Sequence, residues 1–251
     1  MITVRSAAEV EIMARAAALV VEALREARAL IVPGNNTAAL DRAIKEKIED
    51  AGAKPAFLGY MGFPASSCIS LNAEVVHGIP SPERLILEGD LVSVDVGVEL
   101  EGYYGDAAFT VAVGDVAGEL LACGRRCLAN AIARCRVGHR LSDVSHAVEE
   151  TAKEAGFDVV REYVGHGIGT KMHEEPQVPN FGPPGRGPRL GPGMVMALEP
   201  MVVAGDWRTK VGRDKWTVMT RDGELSAHFE HTVVVTEGEP RVLTRGWEEF
   251  A

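Results

Sequence analysis

Four carboxylates stand in sequence that builds buried strands. Asp95 lies in Leu91-Val-Ser-Val-Asp-Val-Gly-Val98 and Asp106 in Tyr103-Tyr-Gly-Asp-Ala-Ala-Phe109. Glu199 lies in Met194-Val-Met-Ala-Leu-Glu-Pro-Met201 and Glu230 in Ala227-His-Phe-Glu-His-Thr-Val-Val234. A carboxylate buried there must be paired, protonated or bound to a cation. Any one alone could sit at a strand end and face water. Asp95 and Asp106 together resist that reading. Residues 91–100 and 103–113 predict a hairpin. Centred between Leu100 and Glu101, it sets Asp95 directly opposite Asp106, with Cβ atoms roughly 5 Å apart. Neither strand carries a Lys or Arg to offset the repulsion. A divalent cation between the two acids would. With His166, flanked by glycines in Gly165-His-Gly-Ile-Gly169, the donors are too many and too charged for one ion. Two divalent ions would balance the four acids and leave room for a bridging hydroxide. Such pairs activate water and polarise a scissile carbonyl. Manganese, iron, cobalt and zinc all suit carboxylate-rich ligation.

The elements that must position these groups follow from periodicity and punctuation. Ser6-Ala-Ala-Glu9 reads as a capping box. It opens a long helix to about Leu30, ended by Pro33-Gly34. Thr37 is expected to cap a second helix running to Gly52. β-branched and aromatic runs then predict strands at 66–71, 91–100 and 103–113. Two more helices are expected near 118–136 and 142–155. Strands return at 157–163, 194–203, 216–220 and 229–236, with Asp222-Gly223 as a turn between the last two. The order is twice two helices, then strands. It predicts an α/β (α+β) fold with similar halves about 1–115 and 116–251, and the chain, 1–251, is expected to be a single domain, catalytic if the resemblance given below holds. Residues 178–193 form a loop of five prolines and five glycines. Such loops are often functional, and a spacer role is an equal alternative.

Composition narrows the class. The chain has 251 residues, 46% of them hydrophobic and 25% charged, as in an ordinary globular protein. A net charge of −10 argues against nucleic acid or an anionic membrane as partner. No apolar run approaches a membrane span. The N-terminus is not a signal peptide, because Glu9, Glu11, Arg15 and Glu22 interrupt it. Cys123, Cys127 and Cys135 match no zinc or redox spacing and read as reduced core thiols in the cytoplasm. No phosphate-loop, zincin or serine-elbow pattern is present.

Six motifs in order then carry a resemblance. Asn72-Ala-Glu-Val-Val-His-Gly-Ile-Pro80, the Asp95/Asp106 pair, Gly165-His-Gly-Ile-Gly169, His173-Glu-Glu-Pro176, Glu199-Pro-Met201 and Glu230-His-Thr232 resemble type I methionine aminopeptidases of bacterial type. The match spans nearly the whole chain. It implies the pita-bread fold, a pseudo-twofold pair of α/β halves with antiparallel sheet, outer helices and two metals between the halves. It implies Asp95, Asp106, His166, Glu199 and Glu230 as ligands of two divalent ions, with Asp106 and Glu230 bridging. Glu199 would also shuttle a proton. His173 would donate to the tetrahedral oxyanion, and His77 would contact the scissile amide nitrogen. Tyr60, Phe63, Cys68 and Trp216 would line a methionine pocket. For Phe63 and Trp216 a core or surface role is an equal alternative. Family members often carry His at Met61, Tyr at Phe63 and Phe at Met172.

The implied reaction removes the initiator methionine from nascent peptides when residue two is small. The implied partner is the nascent N-terminus, met at the ribosome, and a monomer is expected. Xaa-Pro cleavage, amidino hydrolysis and non-catalytic binding are the rival activities on this fold. The stretch before Asn72 is too short for a prolidase N-terminal domain. The interval from His173 to Glu199 leaves no room for the helical insertion of type II enzymes. Residue two of this chain is Ile2, so Met1 should be retained. Intact mass of the expressed chain checks this, and loss of Met1 would contradict the small-residue rule.

Overall fold

The computed structural model describes residues 2–251, so the expected retention of Met1 lies outside the described residues. Helix α1 (Ala7–Leu30) opens on the expected capping box, with Ser6 and Glu9 satisfying each other's backbone amides. Helix α2 (Thr37–Asp50) is capped one residue earlier than expected. Asn36 Oδ1 accepts from the Ala39 amide at 3.0 Å, since Asn is a stronger cap than Thr. Thr37 instead donates its hydroxyl to the Ser81 carbonyl.

The first sheet is built on a long hairpin, β4 (Leu91–Leu100) and β5 (Tyr103–Ala112). Short strands β1 (Lys54–Pro55) and β2 (Cys68–Leu71) share the other edge of β4. The expected hairpin register is off. Asp95 lies opposite Ala108, and Asp106 opposite Gly97. The loop is the two-residue turn Glu101-Gly102, with φ of 52° and 81°. Two positive φ angles match the twist of a two-residue hairpin, and that places the turn one residue later. The displacement moves each partner by two residues, so both acids keep the same face. They become diagonal neighbours rather than a direct pair. Helix α1 packs on this sheet at Gly105, where a Cβ would fall 2.8 Å from the Ala17 amide nitrogen.

A short strand β3 (Glu74–Val76) follows β2 in the chain. After β5 come α3 (Gly118–Arg134) and α4 (Leu141–Glu154), then short strands. These are β6 (Asp158–Val159), β7 (Gly165–Gly167), β8 (Glu174–Val178), β9 (Val195–Leu198), β10 (Met201–Val203), β11 (Thr209–Val211), β12 (Val218–Thr220), β13 (Ser226–His228), β14 (His231–Val234) and β15 (Arg241–Val242). The strand expected at 157–163 shrinks to β6. The runs 194–203 and 229–236 also differ from expectation. The first divides into β9 and β10. The second is shortened to β14, with β13 before it. Strands β9 and β14 pair in a five-stranded sheet, β10 and β13 in a three-stranded one. The same antiparallel register runs through both, from Leu198 opposite His231 to Met201 opposite His228. Continuing it across the gap sets Glu199 opposite Glu230, and Pro200 opposite Phe229. The Phe229 amide still donates to the Pro200 carbonyl at 3.2 Å. Pro200 has no N–H to return, so the ladder fails there.

Asp222-Gly223 does bend the chain, but β12 pairs with β11 and β3 rather than with β13 or β14. Residues 179–193 carry no helix or strand. They strap across the start of α4. Gly185 and Arg186 amides donate to Asp143 and Ser142, and the Leu141 amide donates to the Pro188 carbonyl. All four cysteines are buried and free. Among the described residues, no helix is long and apolar enough to cross a membrane.

The two sheet systems meet along β5. The Glu230 amide donates to the Ala108 carbonyl at 2.8 Å. Two residues away on either side, a threonine hydroxyl bridges the facing backbone. Thr232 Oγ1 accepts from the Asp106 amide at 3.0 Å and donates to its carbonyl at 2.8 Å. Thr110 does the same for the amide and carbonyl of His228, both at 2.8 Å. Thr232→Val keeps the shape and orphans a buried amide and carbonyl. It should lower the unfolding free energy by about 1–3 kcal/mol, measured by denaturant titration; an unchanged midpoint would show that the seam does not depend on this hydroxyl.

Candidate metal centre and pocket

The seam and the broken ladder bring the acids together. Asp95 comes from β4 and Asp106 from β5. Glu199 and Glu230 sit at the two sides of the interrupted ladder. His166 is the middle residue of β7, next to β9. Ligand atoms of Asp106, His166 and Glu230 all lie within 4.8 Å of one another, and all three residues are buried. His166 Nε2 is 3.8 Å from Asp106 Oδ2 and 3.5 Å from Glu199 Oε1. The carboxyl of Asp95 lies beside that of Asp106. Among the described residues, none of the four acids has a Lys or Arg within ion-pair distance.

This charge arrangement raises proton affinity. Burial pushes Asp95 up to about 7. Burial, then the charges of Asp95 and Glu199, push Asp106 well above the usual range. Burial and neighbouring carboxylates do the same to Glu199 and Glu230. Burial pushes the histidines the other way, His166 to about 3 and His77 to about 4. The rings are therefore neutral at physiological pH.

The donor set fits a cation. Asp95 Oδ1, Asp106 Oδ1 and Glu230 Oε1 are buried without any hydrogen-bond partner. His166 Nδ1–H donates to the Gly167 carbonyl at 2.9 Å. That bond fixes the tautomer and leaves the Nε2 lone pair facing the acids, as at a metal-ligating histidine.

The acids form one end of a cavity of about 370 Å³. Its other end is apolar, with Phe57, Phe63, Cys68 and Trp216. Phe63 meets Trp216 edge-on at 5.2 Å between ring centroids. The floor is pinned by α2, whose Asp41 accepts from both the Ser66 and Ser67 amides just before Cys68. Exposed Met61 marks the mouth. His77 and His173 stand where the two ends join. His77 holds a left-handed φ of 59° and sets its ring edge-on to Tyr163. The His173 ring lies 4.2 Å from that of His166 between centroids, tilted by 48°, and its Nδ1 shares a hydrogen bond at 2.9 Å with the Tyr60 hydroxyl.

All eleven residues singled out from the sequence thus line one cavity. Phe57 and Val76 also line it and were not singled out, nor were Thr110, Thr232 and His228, which hold the segments that carry the acids. The threonines act on backbone, which leaves no chemical signature in sequence. His228 did leave one. It is a histidine two positions before Glu230 in the same apolar run, so strand alternation would put both on one face.

The chain is similar to known proteins over nearly its whole length. It is 46% identical to a methionine aminopeptidase of Clostridium acetobutylicum over 247 residues, covering 97% of this chain and 99% of that one. It is 49% identical to methionine aminopeptidase 1 of Mycobacterium tuberculosis, covering 96% and 94%. The crystal structure of a Thermotoga maritima methionine aminopeptidase superposes with a TM-score of 0.96 at 46% identity, covering 98% of this chain and all of that one. A Pyrococcus furiosus prolidase superposes at 0.78 with 23% identity, covering 97% of this chain and 65% of that one, and shares the fold alone. The architecture is the expected pita-bread fold. The model of metallopeptidase family M24 matches residues 11–237, and the chain belongs to that family.

Proposed function

We propose that the chain is a metal-dependent methionyl aminopeptidase that removes the N-terminal methionine of nascent proteins when residue two is small. The observation that carries this is the junction of a cation-seeking acid cluster with an apolar pocket in one cavity. We read the chain as a single catalytic domain, residues 1–251, with halves about 1–115 and 116–251. It acts as a cytoplasmic monomer on peptides leaving the ribosome. Xaa-Pro cleavage is not favoured, because the prolidase likeness is one of fold alone.

Asp95, Asp106, His166, Glu199 and Glu230 would hold two divalent ions, drawn from manganese, iron, cobalt and zinc, with Asp106 and Glu230 shared between them. The ions, when bound, activate water and polarise the scissile carbonyl. The remaining work belongs to side chains. Phe63, Cys68, Trp216 and Tyr60 receive the methionine side chain, whose flexible thioether suits aromatic walls. Glu199 takes a proton from the attacking water at its carboxylate and passes it to the leaving amine. The Tyr60 hydroxyl donates to His173 Nδ1, so the His173 proton sits on Nε2. That N–H donates to the carbonyl oxygen as it gains charge. His77, held neutral by burial, contacts the scissile amide nitrogen.

Two experiments test this. Glu199→Ala and Asp106→Ala should each cut turnover of Met-Ala-Ser by at least about 100-fold with metal supplied. Undiminished turnover in either, or a preference for Ala-Pro over Met-Ala peptides, would refute the assignment. Metal removal should be felt in stability, and more so as pH rises. In the metal-free chain the acids bind protons more tightly folded than unfolded. That stabilisation is complete below the unfolded value of about 4 and is lost as pH climbs through about 7, where Asp95 titrates. Cations need the ionised form, so they replace the lost stabilisation at high pH. Melting with and without chelator should differ more near about pH 8 than near about pH 5. An equal difference at both would place the cations elsewhere.

A further inference from the structure

His228 is a buried group beside the acids that the proposed mechanism does not use. It is 2% exposed, and its Nε2 has no hydrogen-bond partner. That nitrogen lies 3.9 Å from Glu199 Oε2 and 3.9 Å from Glu230 Oε2. The other oxygens of the two glutamates are placed differently. Glu199 Oε1 faces His166, and Glu230 Oε1 is unpartnered. Each glutamate thus turns its Oε2 edge toward the same imidazole.

The backbone that carries the ring is held in place. Thr110 Oγ1 accepts from the His228 amide and donates to its carbonyl, and shares a further hydrogen bond at 2.8 Å with Ser93. All three residues are buried. A polar nitrogen left unpaired in such a place costs about 1–3 kcal/mol. At 3.9 Å neither contact is yet a hydrogen bond. A small carboxylate movement would make one. An N–H on Nε2 is the tautomer that carboxylate oxygens select.

We propose that His228 is a positioning residue of the metal centre. Its Nε2–H holds the Oε2 edges of Glu199 and Glu230, so their opposite oxygens stay turned toward the cations. This rests on the metal-site reading above. Groups that orient metal-binding side chains in this way tune affinity by about 10- to 100-fold.

The test uses the whole chain freed of metal, with cobalt(II) alone as the probe. Binding is followed by calorimetry and by the visible absorption of the bound cobalt. His228→Leu should bind cobalt about 10- to 100-fold more weakly and shift the absorption band. His228→Gln offers an amide N–H at similar reach and should restore both affinity and band. If His228→Leu does not fold, the unbranched His228→Met replaces it, with the same expectation. Wild-type affinity and band in the apolar variant would overturn the proposal. So would a glutamine variant as weak as the apolar one, because the imidazole would then act as a ligand or a space-filler. Wild-type chain that takes up no cobalt would instead defeat the metal-site reading itself.

Discussion

Like charges held close together in a poorly solvated space are the constraint on which this molecule turns. Asp95, Asp106, Glu199 and Glu230 crowd one end of the cavity, with no Lys or Arg among the described residues to offset them. Isolated charges of this kind would cost several kcal/mol each, and protonation is the relief open to the metal-free chain. The raised proton affinities of all four acids express that. Cations offer the other relief, and the orphaned oxygens of three of the acids show where the demand lies. The electrostatic cost and the ability to hold metal are thus the same property.

Holding the acids in place falls to hydrogen bonds along a narrow seam. Glutamates 199 and 230 face each other because an antiparallel ladder runs in one register on both sides of them. They are free of that ladder because Pro200 cannot complete it. The glutamates therefore gain the accuracy of a sheet without being tied to one. On the other side, β5 supplies Asp106 and meets the Glu230 segment through one backbone bond flanked by two threonine hydroxyls. A hydroxyl that both donates and accepts can bridge a backbone separation that direct pairing would not allow. Helices α1 and α2 brace this arrangement from behind, at Gly105 and through Asp41.

The fold was largely legible where one signal dominated. Helices α1 and α2 announce themselves by caps and punctuation, and the long hairpin by its β-branched runs. Legibility failed where two signals competed. The hairpin register depended on whether Leu100-Glu101 or Glu101-Gly102 forms the turn, and only the left-handed demand of a two-residue loop decides that. The runs 194–203 and 229–236 look continuous because hydrophobicity carries across both glutamates. Pro200 was the visible warning in the first run. The second has no such mark, since its break is the echo of Pro200 on the partner strand. The acids themselves stood out because charge in apolar sequence is rare, and the opposed pair inferred for Asp95 and Asp106 is in fact realised by Glu199 and Glu230.

The histidines complete the electrostatic logic. An imidazolium beside the acid cluster would ease the repulsion, but it would also repel a cation. Burial instead keeps the rings of His77, His166 and His228 neutral. A neutral ring can accept through one nitrogen and donate through the other, and its partner chooses which. For His166 the Gly167 carbonyl takes the Nδ1 proton, leaving a lone pair for the metal side. In the proposed mechanism the Tyr60 hydroxyl, 2.9 Å from His173 Nδ1, donates to that nitrogen, which leaves the ring's proton on Nε2 for the substrate. Two similar rings 4.2 Å apart thereby present opposite chemistry to the same cavity. The difference lies wholly in what stands behind each ring.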